Sequence, residues 1–442
     1  MPSTTLSARP SRVQTQSVRR NAIPALLRAA QVTLLIALLG APLAFGAVQP
    51  WAWVALELLV LSGLVLWALD AVGRGWLEIR WSPLFVPMGL FLLLAAVQYW
   101  GRFTLDPIAT REALLKLTSG VALFFLAVQL LGREPAASLS KLGWVVALYS
   151  FAMGLFAILQ YCSSNGRIYW IIKPNGWTFG PYVNHDHYAG LMEILIPIAV
   201  GYLLSRPEKD PARTALGFAL LVPVASLLLS GSRGGLVALL AEVVVFGTIL
   251  LWTYRRRRRG SIAILVAGLT AAAALFFWLD FGDVSTRLAT AFEGPHAAEA
   301  TLGERVTMSR DSLRILKAHP AIGIGLGSFE NVYPQYQTFA SDLAIIHAHD
   351  DYAEALAETG LAGGALMTIA LLLFLRRGFA RLSEKVSLAT GWVQLGAAAG
   401  CVGLLVHSLV DFNLHIPANA AWFCLALAVA LLEPAAPGPA RA

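Results

Sequence analysis

Residues 230–259 read Ser230-Gly-Ser-Arg-Gly-Gly-Leu-Val-Ala-Leu-Leu-Ala-Glu-Val-Val-Val-Phe-Gly-Thr-Ile-Leu-Leu-Trp-Thr-Tyr-Arg-Arg-Arg-Arg-Arg259. The apolar middle, 235–253, approaches the roughly 20 residues that a helix needs to cross the hydrocarbon of a bilayer. A glycine-rich turn with one arginine precedes it, and five consecutive arginines, Arg255 to Arg259, follow it. Basic residues collect on the cytoplasmic side of membrane spans. The stretch therefore reads as a transmembrane helix with the turn outside and the arginine run inside, as a topology anchor rather than a nucleic-acid patch.

The same reading extends along the chain. Of 442 residues, 57% are hydrophobic and only 13% charged, too apolar a composition for a soluble protein of this length. Twelve candidate spans lie near 29–48, 52–70, 83–100, 113–131, 142–161, 189–204, 214–230, 235–253, 261–279, 355–375, 391–410 and 416–433. The sixth is short, and Pro197 within it predicts a kink. With the N-terminus inside, the cytoplasmic segments hold 22 of the 33 lysines and arginines, which places both termini in the cytoplasm. The net charge of +7 is thus explained by topology, without a nucleic-acid partner.

Residues 1–22 and 434–442 read as disordered cytoplasmic tails flanking a transmembrane domain over 23–433. Small residues after the first span imitate a signal peptide, but the span is too long and eleven more follow, so it reads as a retained anchor. Glu57 is a charge inside the second span with no evident partner. The cysteines Cys162, Cys401 and Cys424 show neither metal nor disulfide spacing.

The outer face carries the chemistry. Its segments are 161–188, the turn at 231–234, the long stretch 280–354 and the turn 411–415. Within the long stretch, 304–318 predicts an amphipathic helix with Arg310, Arg314 and Lys317 on one face, ended by the proline and glycine cluster at 319–329. Gly323, Gly325 and Gly327 neither follow a strand nor open a helix, so they read as a close-packed turn rather than a nucleotide loop. The stretch His347-Ala-His-Asp-Asp-Tyr352 then runs into apolar helical spacing at Ala353, Leu356, Ala357 and Leu361. That predicts a helix start near Asp350 or Asp351 with His349 at its entrance, where a neutral imidazole could take a proton from a hydroxyl.

Arg233 on the outer turn is a candidate anion-binding residue, because guanidinium forks suit phosphate oxygens and glycines let backbone amides approach them. Asn184, His185 and His187 stand before the sixth span. Together with His347 and His349 they raise a zinc or manganese site, but no regular ligand spacing supports it, and a polar cavity entrance is the better reading. If the chain at 347–349 is extended, His347 and His349 face opposite ways. His407, Asp411, Asn413 and His415 either line the same cavity or hydrate a helix hairpin.

In this order and on one face, these pieces resemble the O-antigen ligase and polymerase superfamily of bacterial inner-membrane glycosyltransferases. The signature of a histidine, a small polar residue, nine residues and Gly-x-x-Gly is matched by His349, Asp350, Gly360 and Gly363, with Asp350 standing where Asn, Ser or Gln is usual. Ser230 to Gly235 is similar to the family's Ser-x-Ser-Arg-Gly turn, Arg305 ahead of Pro320 and Gly323 to its loop arginine, and Asn184 to Gly190 to the segment before its middle spans. The resemblance covers roughly 175–365 and the 407–417 turn. It implies an all-α polytopic membrane protein of GT-C-like fold with a helical periplasmic loop over 280–354. It further implies a polyprenyl-pyrophosphate-linked glycan donor, no metal or other cofactor, pyrophosphate binding by Arg233 and Arg305, and His349 as the base on the acceptor hydroxyl, with inversion. Arg310 is the other candidate loop arginine, and Asn184, His185, His187, His347, Asp350 and Asp411 are candidate cavity-lining residues.

The sequence thus leads to a membrane glycosyltransferase at the periplasmic face of the inner membrane that ligates a glycan to lipid A-core. Glycan-chain or exopolysaccharide polymerisation, with a glycan acceptor, is the near alternative, and protein O-glycosylation is a more distant one. A solute transporter is the reading from another class, disfavoured because the polar clusters gather at one face rather than at the midplane.

Overall fold

The computed structural model describes residues 13–174, 176–254, 302–341 and 344–433. Among these residues the chain is almost entirely helical and has no named strand, only two isolated β-bridges in the 164–184 loop. Nine helices, counting a kinked pair as one, are long and apolar enough to cross a membrane, and Phe85–Trp100 and Pro417–Leu431 are shorter apolar ones. Eleven of the twelve expected spans therefore have a helix; the one near 261–279, the Arg255 to Arg259 run and 434–442 lie outside the described residues. The chain is an all-α polytopic membrane protein.

In chain order the helices are α1 (Val13–Leu43), α2 (Pro50–Arg74), α3 (Phe85–Trp100), α4 (Pro107–Leu131), α5 (Pro135–Ser163), α6 (His185–Ser205), α7 (Pro211–Ala219), α8 (Leu221–Ser230) and α9 (Arg233–Tyr254). After the undescribed stretch come α10 (Leu302–Ala318), the one-turn α11 (Phe329–Val332), α12 (Asp351–Gly378), α13 (Leu382–Ser387), α14 (Ala389–His407) and α15 (Pro417–Leu431). The sixth span is not short: α6 begins at His185, because Asn184 caps it by accepting from the Asp186 amide.

The innermost helices are α6 and α14, which lie against each other. Lipid tails are as apolar as leucine, so membrane helices associate through close van der Waals packing, which small residues permit. Here a Cβ on Gly396 would stand 2.3 Å from the Pro197 carbonyl oxygen, and one on Gly400 would stand 2.9 Å from that of Glu193.

The helix ends form two groups. One end gathers Arg74, whose Nε lies 2.8 Å from Asp70 Oδ2, with Arg133, Arg206 and Lys385. The other end gathers the loops that follow α1, α3, α5, α8 and α14 together with 302–341 and 344–350. Tyr169 donates to the Leu43 carbonyl and Leu105 N to the Ile324 carbonyl at 2.8 Å, which ties these loops to one another. Glu57 also gains a neighbour that the sequence did not show: Lys116 of α4 acts on it electrostatically and lies 5.2 Å from the centre of the Trp53 ring.

The loop 319–328 is fixed by a break in α12. Gly360 has φ 63° and ψ −163°, a conformation essentially restricted to glycine. The break frees backbone groups that the loop satisfies: Leu361 N donates to Pro320 O (2.8 Å), Ala362 N to Ala321 O (3.1 Å), Ile324 N to Ala357 O (3.1 Å) and Gly325 N to Glu358 O (3.0 Å). A Cβ on Gly323 would stand 2.3 Å from the Glu358 carbonyl carbon, so Gly323 belongs to a close-packed turn, as the sequence suggested. Gln98 of α3 locks the joint through the Glu358 carbonyl (2.8 Å) and the Leu326 amide (3.1 Å).

Candidate functional site

The N-termini of α6, α9 and α12 converge with α10 and the 408–416 turn. Asp350 caps α12 by accepting from the Tyr352 and Ala353 amides, both at 3.0 Å, and from Ser309 Oγ of α10 at 3.1 Å. This is the helix start the sequence predicts. It also accounts for the departure from the signature, since Asp, Asn and Ser are interchangeable as caps. Burial pushes the Asp350 carboxyl up, outweighing the donors that hold it down.

His349 has φ 50°, a left-handed conformation uncommon outside glycine. The turn this makes puts its ring edge-on to Phe412 at 4.9 Å and its Nδ1 3.2 Å from Asp411 Oδ1. The chain here is not extended, which corrects the expectation that His347 faces away: His347 stacks on the same Phe412 ring at 4.3 Å. Burial would raise the Asp411 carboxyl, but the hydrogen bond with His349 and the proximity of His187 hold it below its ordinary value. An ionised Asp411 accepts only, so Nδ1 of a neutral His349 donates and Nε2 carries the lone pair. The His349 side chain is one-fifth exposed.

Asp411 joins this group to α6. Its Oδ2 lies 3.6 Å from His187 Nε2 and accepts from Asn413 Nδ2 at 3.2 Å. Asp186, next along α6, accepts from Ser232 Oγ at 2.5 Å through one oxygen and from Arg305 Nη2 at 3.3 Å through the other. Arg305 also donates from Nη1 to the Val410 carbonyl at 2.7 Å, one residue before Asp411. Two of its five N–H groups are thus used in holding it in place. Arg233 follows Ser232 as the first residue of α9 and is exposed, beside a backbone turn whose Gly231 is left-handed at φ 73°.

Of the residues picked out in the sequence, Asn184, His187, Arg305, His347, His349, Asp350 and Asp411 are joined through the contacts above, and Arg233 lies at the same end, next to Ser232, with its side chain exposed. His185 stacks on Trp177 at 4.5 Å. Arg310 is not in the group: it sits with Arg314 and Lys317 on the exposed face of α10, while Met308, Asp311 and Ile315 are buried. Sequence reasoning weighed the two histidines of 184–190 and passed over Asp186, although an acid in a first helical turn is itself a signal. It also missed Phe412, and the buried pair of Glu193 and His407, 2.7 Å apart.

The histidines do not assemble as the four-residue metal set considered from sequence. Instead His347, Glu354 and His415 bring ligand atoms within 4.8 Å of one another, close enough to hold an ion. In the structure these atoms pair with each other: His347 Nδ1 lies 2.8 Å and His415 Nε2 3.3 Å from Glu354 Oε1. The second nitrogen of His415 lies 2.7 Å from Asp351 Oδ1.

Residues 218–368 match the family model described as O-antigen ligase. An O-antigen ligase of Pseudomonas aeruginosa is 24% identical over 360 residues, covering 79% of this chain and 77% of that protein. By these two matches the chain is similar to O-antigen ligases.

Proposed function

From the site geometry and the similarity to O-antigen ligases, we propose that the protein transfers a glycan from a polyprenyl-pyrophosphate carrier to an acceptor hydroxyl of lipid A-core. The transfer takes place at the periplasmic face of the bacterial inner membrane, with 280–354 in the periplasm and both termini in the cytoplasm. The observation that carries the reading is the 3.2 Å pairing of His349 with buried Asp411, beside an arginine that Asp186 and Val410 hold in place.

The mechanism follows from that geometry. Asp411 fixes the tautomer and orientation of His349, whose Nε2 takes the acceptor proton as the hydroxyl attacks the anomeric carbon. The new glycosidic bond forms as the bond to the pyrophosphate oxygen breaks, and direct attack inverts the anomeric centre. The leaving pyrophosphate gains charge, and Arg233, the unused N–H groups of Arg305 and the positive ends of α6, α9 and α12 stabilise it without a metal.

The test is reconstitution in nanodiscs with a polyprenyl-pyrophosphate glycan and lipid A-core. Transfer that persists after chelation is the expected result. Loss of turnover restored by one divalent ion would move His347, Glu354 and His415 into the role of ligands, and transfer only onto a second lipid-linked glycan would make the protein a polymerase.

A further inference from the structure

Three side chains that the transfer mechanism leaves unused meet beside it: His347 before α12, Glu354 in the first turn of α12 and His415 in the 408–416 turn. Their meeting point is Glu354 Oε1, 2.8 Å from His347 Nδ1 and 3.3 Å from His415 Nε2, and the three ligand atoms lie within 4.8 Å of one another. The other nitrogen of His415 lies 2.7 Å from Asp351 Oδ1. A neutral imidazole carries one ring proton. Placed on the shorter contact, to Asp351, that proton leaves the Nε2 lone pair facing a carboxylate oxygen. The gap between them takes a second proton or a cation.

The cluster is held from behind. Buried Glu354 accepts from the Ala348 amide through Oε2 at 2.7 Å, and Asp351 accepts from the Leu414 amide through Oδ2 at 3.1 Å. His347 stacks on Phe412, and its ring centre lies 4.7 Å from that of His415. A histidine ligand commonly donates its second N–H to a carboxylate, which is the relation of His415 to Asp351. Ligand atoms about 2.0–2.2 Å from a tetrahedral ion stand about 3.3–3.6 Å from one another. The pair of His415 and Glu354 already has that separation, and the pair of His347 and Glu354 needs to open by about 0.6 Å.

We propose that His347, Glu354 and His415 bind one zinc ion, with Asp351 orienting His415. Two imidazoles and one carboxylate suit zinc, whereas magnesium and calcium favour shells of oxygen alone. The ion ties the start of α12 to the 411–415 turn, the two segments that bring His349 and Asp411 together. Neither His349 nor Asp411 is among its ligands, so the ion is structural and the transfer step does not need it. The benefit of that tie to catalysis rests on the function proposed above; zinc binding does not.

The test is calorimetric titration of metal-stripped full-length protein in nanodiscs with zinc chloride or magnesium chloride. One zinc per chain is expected, with no saturable magnesium binding, and saturating zinc should raise the unfolding temperature. Asp351→Asn keeps an acceptor behind His415 but removes the charge, so it should weaken zinc binding roughly 10–100-fold. His347→Ala and His415→Ala each remove a ligand and should weaken it further, whereas His349→Ala and His319→Ala should bind zinc as the wild type does. X-ray absorption at the zinc edge should show two imidazole ligands. No saturable zinc binding by the wild type, or zinc bound as tightly by both His347→Ala and His415→Ala, would overturn the proposal.

Discussion

Gly360→Ala is the substitution whose cost can be worked most directly from the structure. An alanine there must hold φ near 63° with ψ near −163°, a strain of about 1–3 kcal/mol for an L residue. Its Cβ would also stand 2.6 Å from the Ala321 carbonyl carbon and oxygen and 2.7 Å from Gly323 N. Ordinary carbon contacts begin near 3.5 Å, so the 320–325 segment must retreat by roughly 1 Å. That retreat strains the four backbone hydrogen bonds across the break, and each buried group left unpaired costs about 1–3 kcal/mol. Loss of the strain-free glycine and of two such bonds gives a destabilisation of about 3 kcal/mol or more. The Cβ of Gly363→Ala would stand 1.9 Å from Thr359 Oγ1 and 2.3 Å from Thr359 Cβ, an atom that the backbone fixes, so it too should be destabilising, by forcing α12 to shift rather than by straining the loop. The assay is thermal unfolding in detergent alongside glycan transfer in nanodiscs. If Gly360→Ala unfolds and transfers like the wild type, the claim that this signature glycine is a docking joint for the loop fails.

Other expected outcomes follow from the site itself. Asp411→Asn offers one acceptor where two are used, so it keeps the partner of either His349 or Asn413 but not both; transfer should fall by roughly two to four orders of magnitude. Combined with His349→Ala it should add little, because the two residues act as one unit, and a fully multiplicative loss would separate them. The lowered Asp411 carboxyl contributes stability above its unfolded value near 3.9, lost as pH falls through the lower folded one; titrating unfolding in acid for wild type and Asp411→Asn checks this. Asp350→Asn should preserve both cap and transfer. The raised Asp350 carboxyl costs stability as pH rises from about 4 through its folded value, so the variant should lose that decline, and an unfolding series across pH that matches wild type would refute it. Arg305→Lys should weaken donor binding severely, because an ammonium cannot hold Asp186, Val410 and a phosphate fork together, whereas Arg310→Ala should be near neutral; the reverse order in a donor-binding assay would show that the wrong loop arginine was chosen.

Much of this was legible in the sequence because it rests on local rules. The positions of the described spans, the cap at Asp350 and the turn at Gly323 to Gly327 each depend on residues close together in the chain. What the sequence hid depends on tertiary contact. Asp411 lies 62 residues from the histidine it orients, and Glu193 lies 214 from His407, so no periodicity links either pair. The alternation argument for His347 failed for a different reason: it assumed an extended backbone where His349 adopts a left-handed turn. The Asp186 carboxylate was in plain view within the 184–190 motif, but its role as the shared acceptor of Ser232 and Arg305 appears only when α6, α9 and α10 are brought together.

The central claim is that His349 is the base that activates the acceptor. Its most direct test is to measure lipid-linked donor binding and glycan transfer separately for His349→Ala in nanodiscs. Transfer should fall by roughly two to four orders of magnitude, the size of general-base catalysis, while donor binding stays close to wild type because the arginines and helix N-termini are untouched. Wild-type transfer by His349→Ala, or loss of donor binding in step with transfer, would contradict the account.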